Sequence, residues 1–182
     1  MTVLIIVGIA AVLVFWVISV QRKLVLKDEM CQNSMSQIGV QQSSRWDAIT
    51  SLVDLTKSYN EHEYKTLMAV IGQRKEINNF SNSEDAASQE EMLNNIVAQI
   101  KLVAEQYPEL KANENYARTM DSINSYEDQV RMSRMVFNDA VTKYNKIVRQ
   151  FPDSVVASIL GFAVKAYLPE PAGKTDMPKI NI

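Results

Sequence analysis

The sequence has a single cysteine, Cys31, so no disulfide can form within the chain. It has a single histidine, His62. One histidine and one distant cysteine cannot supply the three or four ligands of a usual zinc site. The stretch Glu61–His62–Glu63 starts like the zinc-protease pattern HExxH, but Thr66 stands where the second histidine would be. His62 is therefore read as a polar-face residue. Glycines number five, and no GxxxxGK[ST], GxGxxG or GxSxG pattern occurs, which leaves no phosphate loop, dinucleotide turn or nucleophile elbow. A basic excess is missing too: 19 Lys and Arg stand against 21 Asp and Glu, so nucleic acid is not an expected partner. Prolines number five and the first is Pro108, so long uninterrupted helices are permitted up to that point.

One long uncharged run is present, VLIIVGIAAVLVFWVISV at residues 3–20. A helix that spans a bilayer needs about 20 apolar residues. Gln21 and the aliphatic stems of Arg22 and Lys23 complete that length. Only Met1 and Thr2 precede the run, so the basic start of a signal peptide is lacking, and no small-x-small cleavage site follows it. Cys31 follows Asp28, Glu29 and Met30, which is no lipoprotein box. Residues 1–21 are accordingly expected to be an uncleaved anchor that meets the lipid bilayer through 3–20. Arg22, Lys23 and Lys27 lie just after it, which by the positive-inside rule puts the N-terminus outside and the remainder in the cytoplasm.

About 160 residues remain, the size of one domain with one core. At 47% hydrophobic and 22% charged, the composition is that of a folded chain. From 22 to 79 the apolar residues recur at helical spacing: Leu24, Cys31, Met35 and Ile38, then Trp46, Ile49, Leu52 and Val53, then Tyr59, Leu67, Val70 and Ile71. Gly39 and Ser43–Ser44 are expected at most to bend this rod, so the anchor is expected to run straight into it. NNFSNSED at 78–85 reads as a loop, with Ser81 or Ser83 as the helix cap. A second helix is expected over 84–107 and a third over 114–150, each with one apolar stripe. Pro108 ends one helix and Asn113 caps the next; Pro152 closes the last. Glu127 and Arg134 fall on the third stripe and read either as a buried charge register or, the preferred reading, as positions where partner helices diverge, while Glu90–Glu91 are placed on a solvated face. The apolar segment 154–168 is too short to span and reads as a short helix that caps the open end of the bundle; self-association and contact with the membrane surface are the alternatives. Residues 169–182 hold three prolines and read as a flexible tail.

Two stretches resemble the signature of the LemA family: AEQYPELKANENY at 104–116, and FNDAVTKYNKIVRQFPDSVVASILGF at 137–162. SQIGVQQSSRWDAITSLVDLTKSYNEHE at 36–63 is similar to the family's first helical stretch. The resemblance implies an anchored antiparallel helical bundle in the bacterial inner membrane, without catalytic residues. Met35, Gly39 and Thr50 depart from the family pattern, where tryptophan, aspartate and proline are common. From the shared motifs, Tyr107, Pro108 and Asn113 are candidates for an interhelical corner. Asn138, Tyr144 and Asn145 are candidates for hydrogen bonds across the bundle or, equally, for surface residues. Phe151, Pro152 and Phe162 complete the candidate structural or interaction set.

The fold expected is all-α: a transmembrane helix, 1–21, that continues into an extended antiparallel three- to four-helix bundle, 22–168. The expected role is a non-enzymatic scaffold that organises partners or copies of itself. The alternative is a membrane-shaping protein that uses 154–168. No catalytic residue, metal, cofactor or small-molecule substrate is expected.

Overall fold

In the computed structural model the described residues are 1–169; the tail expected at 169–182 lies outside them from 170 on. Six helices follow in order: α1 Thr2–Thr56, α2 Glu61–Ile71, α3 Ser83–Gln106, α4 Pro108–Lys111, α5 Glu114–Arg149 and α6 Asp153–Ile159. No strand occurs among the described residues. At 1.5 Å per residue the 55 residues of α1 extend about 80 Å. They carry no proline and no interior break, so the apolar stretch and the bundle share one rod. The part before Val20 is exposed except for half-buried Trp16, and it is long and apolar enough to cross a membrane. From Val20 onward α1 buries one face.

The long helices run antiparallel. Arg45 of α1 meets Glu127 of α5, and further down Asp28 of α1 meets Lys165, which is held on Asn145 of α5. α2 descends from the distal end, because Tyr59 and Asn60 lie against Tyr107, whereas Arg74 reaches Asp47 and Ser43 lower on α1. α3 climbs again from Gln42 to the Tyr107 corner. The body is thus an up-down-up-down bundle of α1, α2, α3 and α5.

The stripes read from the sequence are the buried faces. Leu24, Ile38, Ile49, Leu52, Leu93, Ile96, Ile100 and Ile123 are all fully buried, each contributing about 1.5–3 kcal/mol by leaving water. They divide into two cores. The distal one gathers Trp46, Ile49, Leu52, Leu67, Leu93, Ile100, Leu110 and Ile123. The proximal one, next to the exposed apolar stretch, gathers Val20, Leu24, Cys31, Met35, Ile38, Phe137, Val141, Tyr144 and Val156.

Three expectations need correction. The rod expected over 22–79 breaks at 57–60: Asn60 accepts from the backbone N–H groups of His62 and Glu63 and starts a new helix. The cap of α3 is Asn82, which accepts from Asp85 N, and not Ser81 or Ser83. Only 153–159 of the apolar segment is helical; beyond Gly161 the chain runs extended to 169. Gly161 has φ 78°, which glycine adopts without strain, and the chain turns there in a Schellman motif. Phe162 N donates to Ala157 O and Gly161 N to Ser158 O.

Gly39 has a purpose other than bending. A Cβ there would lie 1.9 Å from the carbonyl oxygen of Ile77. The absence of a side chain lets the connection from α2 to α3 cross α1 in contact, with Ile77 buried in the proximal core.

Candidate functional site

Between the two cores lies a layer of buried polar side chains: Gln42 and Arg45 on α1, Gln89 and Glu90 on α3, and Arg134 on α5. All sit on the apolar stripes, since 38, 42, 45 and 49 recur at helical spacing, as do 86, 89, 90 and 93, and 130, 134 and 137. Arg134 pairs with the carboxylate of Glu90 and donates its other Nη to the carbonyl of Pro169. Nη2 of Arg45 lies 3.1 Å from Oε2 of Glu127. Burial lowers the pKa of Arg45, and the charges of Glu127 and Glu90 pull it back up. Nε and Nη1 of Arg45 find no hydrogen-bond partner among the described residues. Gln42 donates to Ala86 O at 2.9 Å. Two readings from the sequence are corrected here. Glu127 and Arg134 form cross-bundle ion pairs and do not mark divergence, and Glu90 is buried and paired, not solvated.

The second feature is an extended strap, residues 162–169, laid along α5. Asn145 Nδ2 donates to Lys165 O and its Oδ1 accepts from Lys165 N, both at 2.9 Å. Asn138 does the same to Leu168, at 3.2 Å and 2.9 Å. Tyr144 donates to Ala163 O at 2.9 Å. The repeat is geometric: two helical turns advance about 10 Å, and three extended residues advance about the same. Side-chain amides seven apart on α5 therefore meet backbone groups three apart on an antiparallel strap. The amide of Gln89 grips Lys75 N and Lys75 O in the same manner, fixing the extended connection before α3.

The other candidates separate into two places. Tyr107 accepts from Asn60 Nδ2 at 3.0 Å, and its ring tilts against Tyr59 at 6.5 Å. Pro108 opens α4, and Asn113 caps α5 by accepting from Asn115 N at 2.9 Å. These three build the distal corner, at the opposite end from Phe151, Pro152 and Phe162. Phe151 is 79% exposed, the Phe151–Pro152 peptide is cis, and Phe162 packs half-buried on the proximal core. Gln42, Arg45 and Gln89 were absent from the sequence candidates, although their positions on apolar stripes are a legible signal.

The groups of this arrangement hold one another and the strap in place. A recess of about 260 Å³ beside the strap has Cys31 and Lys165 as its ionisable lining. Lys165 is engaged by Asp28 at 2.8 Å and lies over the Tyr144 ring at 5.5 Å. Burial pushes the Cys31 thiol up against the pull of Lys165, which disfavours the nucleophilic thiolate. Burial, Asp28 and Cys31 push Tyr144 up to about 12, so it stays a neutral donor. No cluster of three or more His, Cys, Asp or Glu placed to hold a metal occurs among the described residues.

An up-down helical bundle with a polar middle layer, extended at one end by a helix apolar enough to cross a membrane, defines the class. The chain belongs to the LemA family, whose model matches residues 34–182. It is 24% identical over 150 residues to Protein LemA of Metamycoplasma hominis, covering 81% of this chain and 68% of that one. It is 32% identical over 82 residues to the magnetosome protein MamQ of Magnetospirillum gryphiswaldense, and 33% identical over 82 residues to MamQ 1 of Paramagnetospirillum magneticum. Those matches cover 44% of this chain and only 30% of either relative's length.

Proposed function

We propose that this protein is a single-pass membrane scaffold whose bundle stands in the cytoplasm at a fixed attitude to the bilayer and organises partner proteins or further copies of itself. The observation that carries this reading is the continuity of α1, from an exposed apolar stretch to a buried core face without a break. A tether needs only a flexible link; a helix shared by anchor and bundle transmits orientation. Arg22, Lys23 and Lys27, just past the apolar stretch, support the cytoplasmic placement. A non-enzymatic role is supported by Glu90 and Arg134 being engaged in an ion pair and by Asn138 and Asn145 being engaged in backbone clamps. Crosslinking in native membranes followed by mass analysis tests the proposal. Specific, repeatable neighbours are expected; a protein that stays a solitary monomer would contradict it.

A further inference from the structure

α5 descends toward the anchor, α6 crosses, and the strap climbs back along α5. Residues 150–161 are therefore the turn of the bundle nearest the apolar stretch. Val156 and Ala157 of α6 pack into the proximal core with Val20 and Leu24, and Trp16 lies against the same cluster. The opposite side of this turn is apolar and uncovered: Phe151 is 79% exposed and Ile159 78%, with Val155 and Leu160 also exposed. From Gln150 to Val164 the only charged residue is Asp153.

Two independent observations say what covers this face. The first is length. The uncharged run ends at Val20, and at 1.5 Å per residue it traverses about 27 Å, slightly less than the roughly 30 Å hydrocarbon core. The bilayer must therefore reach the level of Val20, which α6 packs against. The second is charge. The antiparallel register set by Arg45–Glu127, carried toward the anchor, brings Arg149 level with Lys23. Arg22, Lys23, Lys146 and Arg149 are all exposed there, a basic collar at the height of phospholipid headgroups.

We propose that Phe151 and α6 form a second membrane contact, seated in the interfacial zone of the same bilayer that the anchor crosses, with Phe151, Val155, Ile159 and Leu160 toward the lipid. This rests on the membrane anchoring proposed above. Anchor and seat together fix the tilt and rotation of the bundle, as two contacts define an attitude where one leaves a pivot. The exposed Phe151 then has a role that packing does not give it.

The test uses the full-length protein with Cys31→Ala in nanodiscs of phosphatidylcholine and phosphatidylglycerol. Single cysteines replace Ile159, Val12 or Ser122 and carry an environment-sensitive fluorophore. Ser122 is an exposed position on α5 nearer the distal corner. Nitroxide lipids labelled at the headgroup or upper acyl chain are expected to quench position 159, and those labelled at the chain end position 12, each several-fold more than position 122. Quenching at 12 without quenching at 159 overturns the seat and leaves the anchor standing, and this includes the outcome in which 159 is shielded by a protein partner. Absence of quenching at both 12 and 159 overturns the anchor and the seat together.

Discussion

Asn145 and Lys165 exchange two hydrogen bonds of equal length, so a side-chain amide on a helix pairs with the strap as a neighbouring strand would. Among the described residues, neither Lys165 backbone group has a backbone partner. A net hydrogen bond contributes about 1 kcal/mol, so Asn145→Ala is expected to lower stability by about 2 kcal/mol. Thermal melting of the detergent-solubilised protein checks this. Asn145→Asp, which keeps the acceptor but turns a negative oxygen toward the Lys165 carbonyl, is expected not to rescue it. An unchanged melting temperature for Asn145→Ala would remove the clamp from the account.

The polar layer obeys a different rule. Removing one partner of a buried ion pair leaves an uncompensated charge, at a cost of about 3–5 kcal/mol, whereas replacing both with apolar residues is often neutral. Arg134→Met is therefore expected to destabilise strongly, with much of the loss recovered when Glu90→Met is added. Recovery will be incomplete, because Arg134 also donates to Pro169. Denaturant unfolding of the two single variants and the double variant measures the coupling; strictly additive losses would mean the pair is not an energetic unit.

Tyr144 ties stability to alkaline pH. Its folded pKa is raised from 10.0 to about 12 by burial, with Asp28 and Cys31 adding to the rise and Lys165 lying over its ring. A raised folded pKa means that the folded state holds the proton more tightly. The contribution is present below pH 10 and is lost as pH climbs toward 12, by an amount on the order of 2 kcal/mol. Wild type is expected to be more stable than Tyr144→Phe at neutral pH, and the difference should shrink through that window. A difference that stays constant from pH 9 to pH 12 would contradict the burial argument.

Gly39→Ala is expected to destabilise by about 3 kcal/mol through overpacking, because its new Cβ meets the Ile77 carbonyl, a backbone group with little room to yield. Melting curves report the loss. Gly8→Ala, at a helical position where a Cβ meets nothing, serves as the control and should not lower the melting temperature.

The long helices were legible in the sequence because each buries one stripe, and the spacing of Leu93, Ile96 and Ile100, or of Phe137, Val141 and Tyr144, survives intact in the fold. The apolar stretch at 3–20 was legible on a different ground, as an uncharged run. The break at 57–60 was missed because no proline or glycine marks it. Yet Asn60 with Glu63 three residues on is a cap signal of ordinary strength. Arg45 with Glu127 lies beyond that kind of reading: the partners are 82 residues apart and meet only once helix register is fixed. The strap stayed hidden because its bonds come from side chains on another element. Residues 163–168 carry no period of their own, and the pattern that holds them is written in Asn138 and Asn145. Asn113, by contrast, caps the residues beside it, so its place at the corner could be read locally.

The central claim, that anchor and bundle share one rigid helix, is tested most directly by amide hydrogen exchange on the full-length protein in nanodiscs. Slow exchange is expected without a gap from Trp16 through Cys31. A rapidly exchanging segment between Val20 and Cys31 would reveal a hinge there and contradict the account.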